Sequence, residues 1–174
     1  MAPDRQPTLE GDLVRIRPLV AADWDALYAV ASDPLIWALH PMKDRWQEPV
    51  FRQFFADALA CGGALAIEDR ASGKVIGSSR YDCWVPEEDE IEIGWTFLAR
   101  AYWGGRYNRE VKRLMLDHIH QSVGTVVFIV GQDNLRSRGA MEKIGGTLVE
   151  GRHHRGGGKV FPDHVVYAIR RGTA

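Results

Sequence analysis

Glu90-Ile-Glu-Ile-Gly-Trp-Thr-Phe-Leu98 runs through Ala99-Arg-Ala-Tyr-Trp-Gly-Gly-Arg-Tyr107 into Asn108-Arg-Glu-Val-Lys-Arg-Leu-Met-Leu-Asp-His-Ile-His-Gln121. The opening part alternates, with Ile91, Ile93, Trp95 and Phe97 on one face and Glu90, Glu92 and Thr96 on the other, which is the period of a strand. The closing part sets Val111, Leu114, Met115, His118 and Ile119 along one side of a helix. Between them, Gly104 and Gly105 let the backbone approach a ligand closely. A strand that turns through glycine into a helix leaves several amide N–H groups unpaired, and the helix dipole adds roughly half a positive charge at the same place. The segment therefore predicts an anion cradle suited to a phosphate or pyrophosphate, with Arg106 adding a charge-assisted contact. It is not a P-loop, because no Gly-Lys-Ser/Thr follows, and it lacks the GxGxxG of a dinucleotide fingerprint. An ordinary loop with two turn glycines would read the same way on its own.

Upstream, Asp12 to Leu19 alternates as a strand, Ala21 to Ala31 and Val50 to Ala60 have helical spacing, and the loop 33–48 between those helices holds Trp37, His40 and Trp46. Ala64 to Asp69 and Val75 to Trp84 read as strands joined by a turn at Ala71 to Lys74, and Pro86 to Asp89 is a second turn. Downstream, Thr125 to Val130 is nearly all apolar, as a central strand should be. Asn134 to Ile144 is a helix with Asn134 or Asp133 as N-cap, and Thr147 to Gly151 and His164 to Arg170 are closing strands around a glycine-rich loop. Residues 1–11 read as a loose lead-in. The expected fold is α+β: a central mixed, mostly antiparallel, twisted sheet of about seven strands with helices on both faces. With no internal repeat and no linker, residues 1–174 are expected to form one domain.

The 174 residues carry 22 Lys and Arg against 23 Asp and Glu. A balance this close to neutral argues against nucleic acid as a partner, because binding it requires a basic excess that displaces counterions. Cys61 and Cys83 are too few for a disulfide scaffold or a four-cysteine zinc site. His118 and His120 point different ways from a helix and find no third ligand, so no metal is expected. The first residues, MAPDRQPTLEGD, contain no apolar core of a signal peptide, and no long apolar run follows. A cytoplasmic protein without membrane contact is the expectation.

Taken with Asn134-Leu-Arg-Ser137 and Glu142-Lys-Ile-Gly-Gly146, the strand, turn and helix above resemble the GNAT superfamily of acyl-CoA-dependent N-acyltransferases, over roughly residues 10–170. Within it the pattern is similar to the ribosomal-protein N-terminal acetyltransferases of the RimJ/RimL branch. That branch usually reads Trp-Gly-x-Gly-Tyr-Ala, where this chain has Arg106 for the second glycine and Asn108 for the small last residue. Asn108 suits a helix N-cap, and a residue at helical φ/ψ needs no glycine. The resemblance implies acetyl-CoA as cosubstrate, direct transfer to a primary amine in a ternary complex, and a β-bulge that splays strand 90–98 from strand 125–130. It also implies that Trp103, Gly104, Gly105, Arg106, Tyr107 and Asn108 surround the pyrophosphate. Phe97, Leu98 and Ala99 would pair with the pantetheine, and a backbone N–H there would polarise the thioester, an effect worth ~3 kcal/mol.

Acyl transfer to nitrogen needs a neutral amine, a stabilised oxyanion and a protonated leaving thiolate. Glu92, on the polar face of the strand, is the first candidate base, and Glu90 is its understudy beside the acceptor. His153 and His154 in the late loop are alternatives. Ser137 resembles the family's serine that bonds the sulfur and protonates it, although an N3 residue of a helix would look alike. Asn134 resembles the residue that holds the pantetheine or adenylate. Trp37 and Trp46 would form an aromatic wall near the acceptor. The acceptor is read as a protein or peptide α-amine or a small amine. An amino acid, polyamine or antibiotic acceptor, or a CoA-binding module without catalysis, are the competing readings. A homodimer is the common default for such a domain.

Overall fold

In a computed structural model, residues 2–172 are described. The elements in chain order are β1 (Leu9–Glu10), β2 (Val14–Pro18), α1 (Trp24–Ala31), α2 (Glu48–Ala60), β3 (Ala64–Asp69), β4 (Val75–Val85), β5 (Glu90–Leu98), α3 (Arg106–Ile119), β6 (Thr125–Gly131), α4 (Leu135–Lys143), β7 (Thr147–Leu148) and β8 (His164–Arg170). One open sheet has the order β1-β2-β3-β4-β5-β6-β8-β7, and only the β5–β6 neighbours run parallel. This is the mixed α+β arrangement expected, with eight strands in place of seven. The additional strand is Leu9–Glu10, which pairs with Ile16 and Arg15 inside what reads as a loose lead-in. So short a strand offers no alternation to read.

Strand alternation divides the apolar residues between two cores. Leu65 and Ile67 of β3 pack with Ile91, Ile93, Val126 and the inner stripe of α3, Val111, Met115 and Ile119. Ala64 and Ala66, the intervening residues of β3, pack against Leu27 of α1 and Phe51, Phe54 and Phe55 of α2. The two helical layers therefore lie on opposite faces of the sheet. Among the described residues, no helix is long and apolar enough to cross a membrane.

The alternation of β5 does not run through as the sequence suggests. Ile91 and Ile93 join the α3 core, but Trp95 packs against the α1–α2 core and Phe97 lies within it, while Leu98 returns to the α3 side. The cause is a β-bulge. Arg80 of β4 stands opposite Gly94 and Ser78 opposite Phe97, so β5 carries one residue more than its partner, and Trp95 takes φ +52. Beyond the bulge every side chain changes face, which is why Thr96 reaches Lys112 of α3 (Nζ donating to Oγ1 at 2.6 Å) instead of joining Glu92 on the opposite face. The bulge also ends the pairing with β6 after Glu92↔Val127, so β5 and β6 splay apart.

The start of α3 is anchored to the far side of the sheet. Glu110 accepts hydrogen bonds from the amides of Asp12 (2.9 Å), Leu13 (2.7 Å) and Val14 (2.8 Å). Charge-assisted bonds of this kind contribute about 1.5–3 kcal/mol each when well shielded. Glu110→Ala is therefore expected to lower the unfolding free energy by about 2 kcal/mol, discounted for partial exposure. Urea unfolding of both proteins measures the difference.

Candidate active site

A cavity of about 380 Å³ opens where β5 and β6 part. Its walls come from the second half of β5, the end of β6, the first turns of α3 and α4, and the loop before α2. One end lies over the α3 turn. Gly104 (φ +108) and Gly105 (φ +101) are left-handed there, with nothing within 4 Å of where a Cβ would stand. Gly105 is the N-cap of α3, so Asn108 sits inside the first turn and is not the cap that its sequence position suggests. Arg109 donates to Gly105 O, and among the described residues the amides of Gly104, Gly105, Arg106, Tyr107 and Asn108 have no acceptor. These successive N–H groups at a helix N-terminus form an anion cradle. Gly104, Gly105 and Asn108 line the cavity. Arg106 is exposed outside it, and Tyr107 turns away to donate to Asp69 Oδ1 at 3.1 Å.

The middle of the cavity is lined by Phe97, Leu98, Trp103, Asn134 and Ser137. Asn134 caps α4, its Oδ1 accepting from Ser137 N–H at 3.3 Å. Ser137 Oγ has no hydrogen-bond partner among the described residues, so its hydroxyl is free to serve a ligand. Two backbone groups expected to receive a ligand are already engaged: Ala99 N–H donates to Ile76 O at 2.8 Å, and Leu98 O accepts from Trp103 Nε1 at 2.9 Å. Ala99 lies outside the cavity. Lys112, which sequence reading passed over, lines this part and is buried without a carboxylate; burial lowers its ammonium to about 7. Its position beside Val111 in an otherwise apolar stripe was the available signal. Among the described residues, no group of three or more His, Cys, Asp or Glu is placed to hold a metal ion.

On the far side of β5, Glu92 is 1% exposed and pairs with Arg155 at 2.7 Å. Burial pushes its carboxyl up to about 7, against the opposing pull of Arg155. Gly94 lies in the cavity wall, and a Cβ there would stand 3.0 Å from Glu92 Oε1, so the carboxylate packs directly behind that glycine, although Glu92 itself is not in the lining. Cys83 sits beside Glu92, and its thiol is raised to about 12, first by burial and then by that carboxylate. Glu90 is also buried, but it is held by Arg152 through bonds of 2.6 and 2.8 Å and does not line the cavity. Trp37 is buried and lines the cavity, whereas Trp46 is 40% exposed and stands apart from it. His153 and His154 lie outside the lining; His40, of the loop 33–48, and His164, neither of them read from the sequence as a site residue, are within it.

Residues 14–147 match the family model described as the acetyltransferase (GNAT) domain. The chain belongs to the GNAT acetyltransferase family. Similar solved structures bear the same architecture. A probable GNAT-family acetyltransferase from Chromobacterium violaceum superposes with TM-score 0.80 at 21% identity, covering 99% of this chain and 89% of that one. An acetyltransferase described as putative, from T. thermophilus, gives 0.73 at 27% identity, covering 95% and 90%. Mycobacterium smegmatis RimJ in complex with CoA-disulfide gives 0.73 at 19% identity, covering 98% and 90%. The GNAT family uses acetyl-CoA as acyl donor, and the chain's cradle of free amides fits a diphosphate.

An alanine at Gly105 would have to leave φ +101, where a Cβ costs about 1–2 kcal/mol. Gly105→Ala is expected to weaken CoA binding by about 5- to 30-fold. Calorimetric titration with CoA reads that change.

Proposed function

We propose that this GNAT protein is an acetyl-CoA-dependent N-acetyltransferase that moves an acetyl group directly to a primary amine in a ternary complex. The observation that carries the proposal is a cavity joining the amide cradle of Gly104–Asn108 to the free hydroxyl of Ser137, with the Glu92 carboxylate packed just behind its wall at Gly94. Bound there, acetyl-CoA supplies an activated acetyl group and leaves as the free thiol. The cradle amides of α3 hold the diphosphate, with Trp103 and Asn134 flanking the arm that leads inward. Phe97 and Leu98 lie along the splayed edge of β5, where backbone N–H groups freed from β6 can polarise a carbonyl.

Glu92 takes the proton from the amine, and Ser137 Oγ donates one to the departing sulfur. A carboxyl near 7 is half ionised at neutral pH, so it accepts a proton without holding the amine as a fixed ion pair. The base must be ionised, its pKa is raised, and the rate should therefore climb as pH passes upward through about 7. An α-amine near ~8 deprotonates more readily than a lysine near ~10.4, which favours an α-amine acceptor, as does the resemblance of the α3 and α4 motifs to the RimJ/RimL branch.

Thiol release from acetyl-CoA with a panel of amines tests the proposal. Glu92→Gln is expected to reduce kcat/KM by about 10²–10⁴ and to remove the limb near neutral pH. Lys112→Met, which removes the other group lowered to about 7, should leave that limb in place. Ser137→Ala is expected to lower kcat while leaving the Kd for CoA within about twofold.

A further inference from the structure

Behind the wall that Trp37 and Trp95 give the cavity stand three arginines, themselves outside its lining, that the proton transfers do not use. Arg80 of β4 is 4% exposed, stacks at 5.2 Å on Phe54 and 4.6 Å on Trp95, and has one polar contact, from Nη2 to Phe54 O at 3.4 Å. Its Nε is buried and donates to nothing. Arg45, in the loop before α2, stacks on the same Phe54 ring at 4.9 Å and on Trp37 at 5.6 Å. Arg155 stacks on Trp95 at 4.5 Å and on Phe161 at 4.7 Å. Cations and rings thus alternate from Trp37 to Phe161 beside the cavity, and Trp37 and Trp95 belong to its wall.

Carboxylates are scarce in this row. Among the described residues, Glu92 is the carboxylate that contacts any of the three guanidiniums, and it contacts only Arg155. Asp57 and Asp82 act on Arg80, and Asp44 on Arg45, from beyond ion-pair distance. The field of an under-neutralised cluster is visible in its neighbours. Arg45 is lowered to about 10, first by burial and then by Arg80, and His40 in the cavity wall is lowered to about 3, first by burial and then by Arg45. Ring faces compensate a guanidinium only in part and leave its edge N–H groups to find acceptors. A carboxylate meets that edge with two parallel bonds.

We propose that the acceptor is a primary amine bearing a carboxylate, which Arg80 and Arg45 receive while the amine faces Glu92. This rests on the acyl-transfer reading and names the substrate class of the same site. The same cluster repels a polyamine, since each added positive charge would enter beside guanidiniums that cannot be deprotonated.

The test measures binding apart from turnover. CoA-loaded protein is titrated in a calorimeter with N-acetyl amino acids covering the common side chains, each paired with its N-acetyl carboxamide. At least one acid is expected to bind about tenfold or more tightly than its amide, as loss of a charge-assisted bond predicts. That ratio should fall toward one in Arg45→Gln, which alters a partly exposed loop residue, and in Arg80→Gln if that buried variant folds. Equal binding of acids and amides, no binding by any acid, or an unchanged ratio in Arg45→Gln overturns the proposal. Thiol release with the free amines separates the two layers. Equal efficiency with carboxylate-free amines sinks the carboxylate site and leaves acyl transfer standing. No release with any amine, in protein that still prefers the acids, sinks acyl transfer and leaves the site standing.

Discussion

At Trp95 the backbone of β5 takes a left-handed turn, Gly94 and Phe97 fall opposite Arg80 and Ser78, and the strand leaves the line it shared with β6. Everything at the site follows from that displacement. A continuous ladder between β5 and β6 would have closed the sheet and consumed the amides along both edges. The parted strands instead leave a cleft whose depth is set by the bulge and whose mouth is set by α3, held in place by Glu110 on the amides of residues 12–14. A residue with positive φ that is not glycine is costly, and here the neighbours over-determine it: Trp95 is fixed by contact with Arg80 and Arg155.

The inversion of side-chain parity has chemical consequences. Before the bulge, Glu92 faces the α1–α2 layer; after it, Thr96 faces α3 and meets Lys112. One strand thus presents a carboxylate to one side and a hydroxyl to the other within a few residues. Glu92 and Arg155 illustrate which force wins. The ion pair at 2.7 Å favours the charged carboxylate, yet the carboxyl is raised because desolvation outweighs it. Glu90 is the contrast: two bonds from Arg152 hold both its oxygens, and it serves the loop's attachment and not the cavity.

Much of this was legible in the sequence because local patterns carry it. The Gly104-Gly105 turn before an amphipathic helix, the Asn134 cap with Ser137 three residues on, and the order of strands and helices are all short-range features, and each stands where the residues imply. What stayed hidden depends on long-range register. The clean alternation of Glu90 to Leu98 cannot reveal a surplus residue, because the bulge exists only relative to β4. Trp37 and Trp46 read alike in one loop; Trp37 is pinned inward by its Nε1 donating to Ala31 O at 2.8 Å, and Trp46 is not. Arg80 and Arg155 lie far apart in the chain and meet only across Trp95.

The charged groups around the cavity divide by whether they can lose charge. Glu92 and Lys112 stand on opposite faces of β5, and burial moves both toward neutrality near the same pH. Two groups beside the cleft can thus shed their charge near neutral pH, and where water is excluded a few oriented amides exert more force than they would in water. Guanidiniums cannot yield in this way: Arg45, even lowered to about 10, stays ionised at neutral pH. Permanent positive charge therefore stands both in the cavity lining, at Arg109 and Arg136, and behind Trp37 and Trp95, at Arg45, Arg80 and Arg155, while Glu92 and Lys112 can exchange protons near neutral pH.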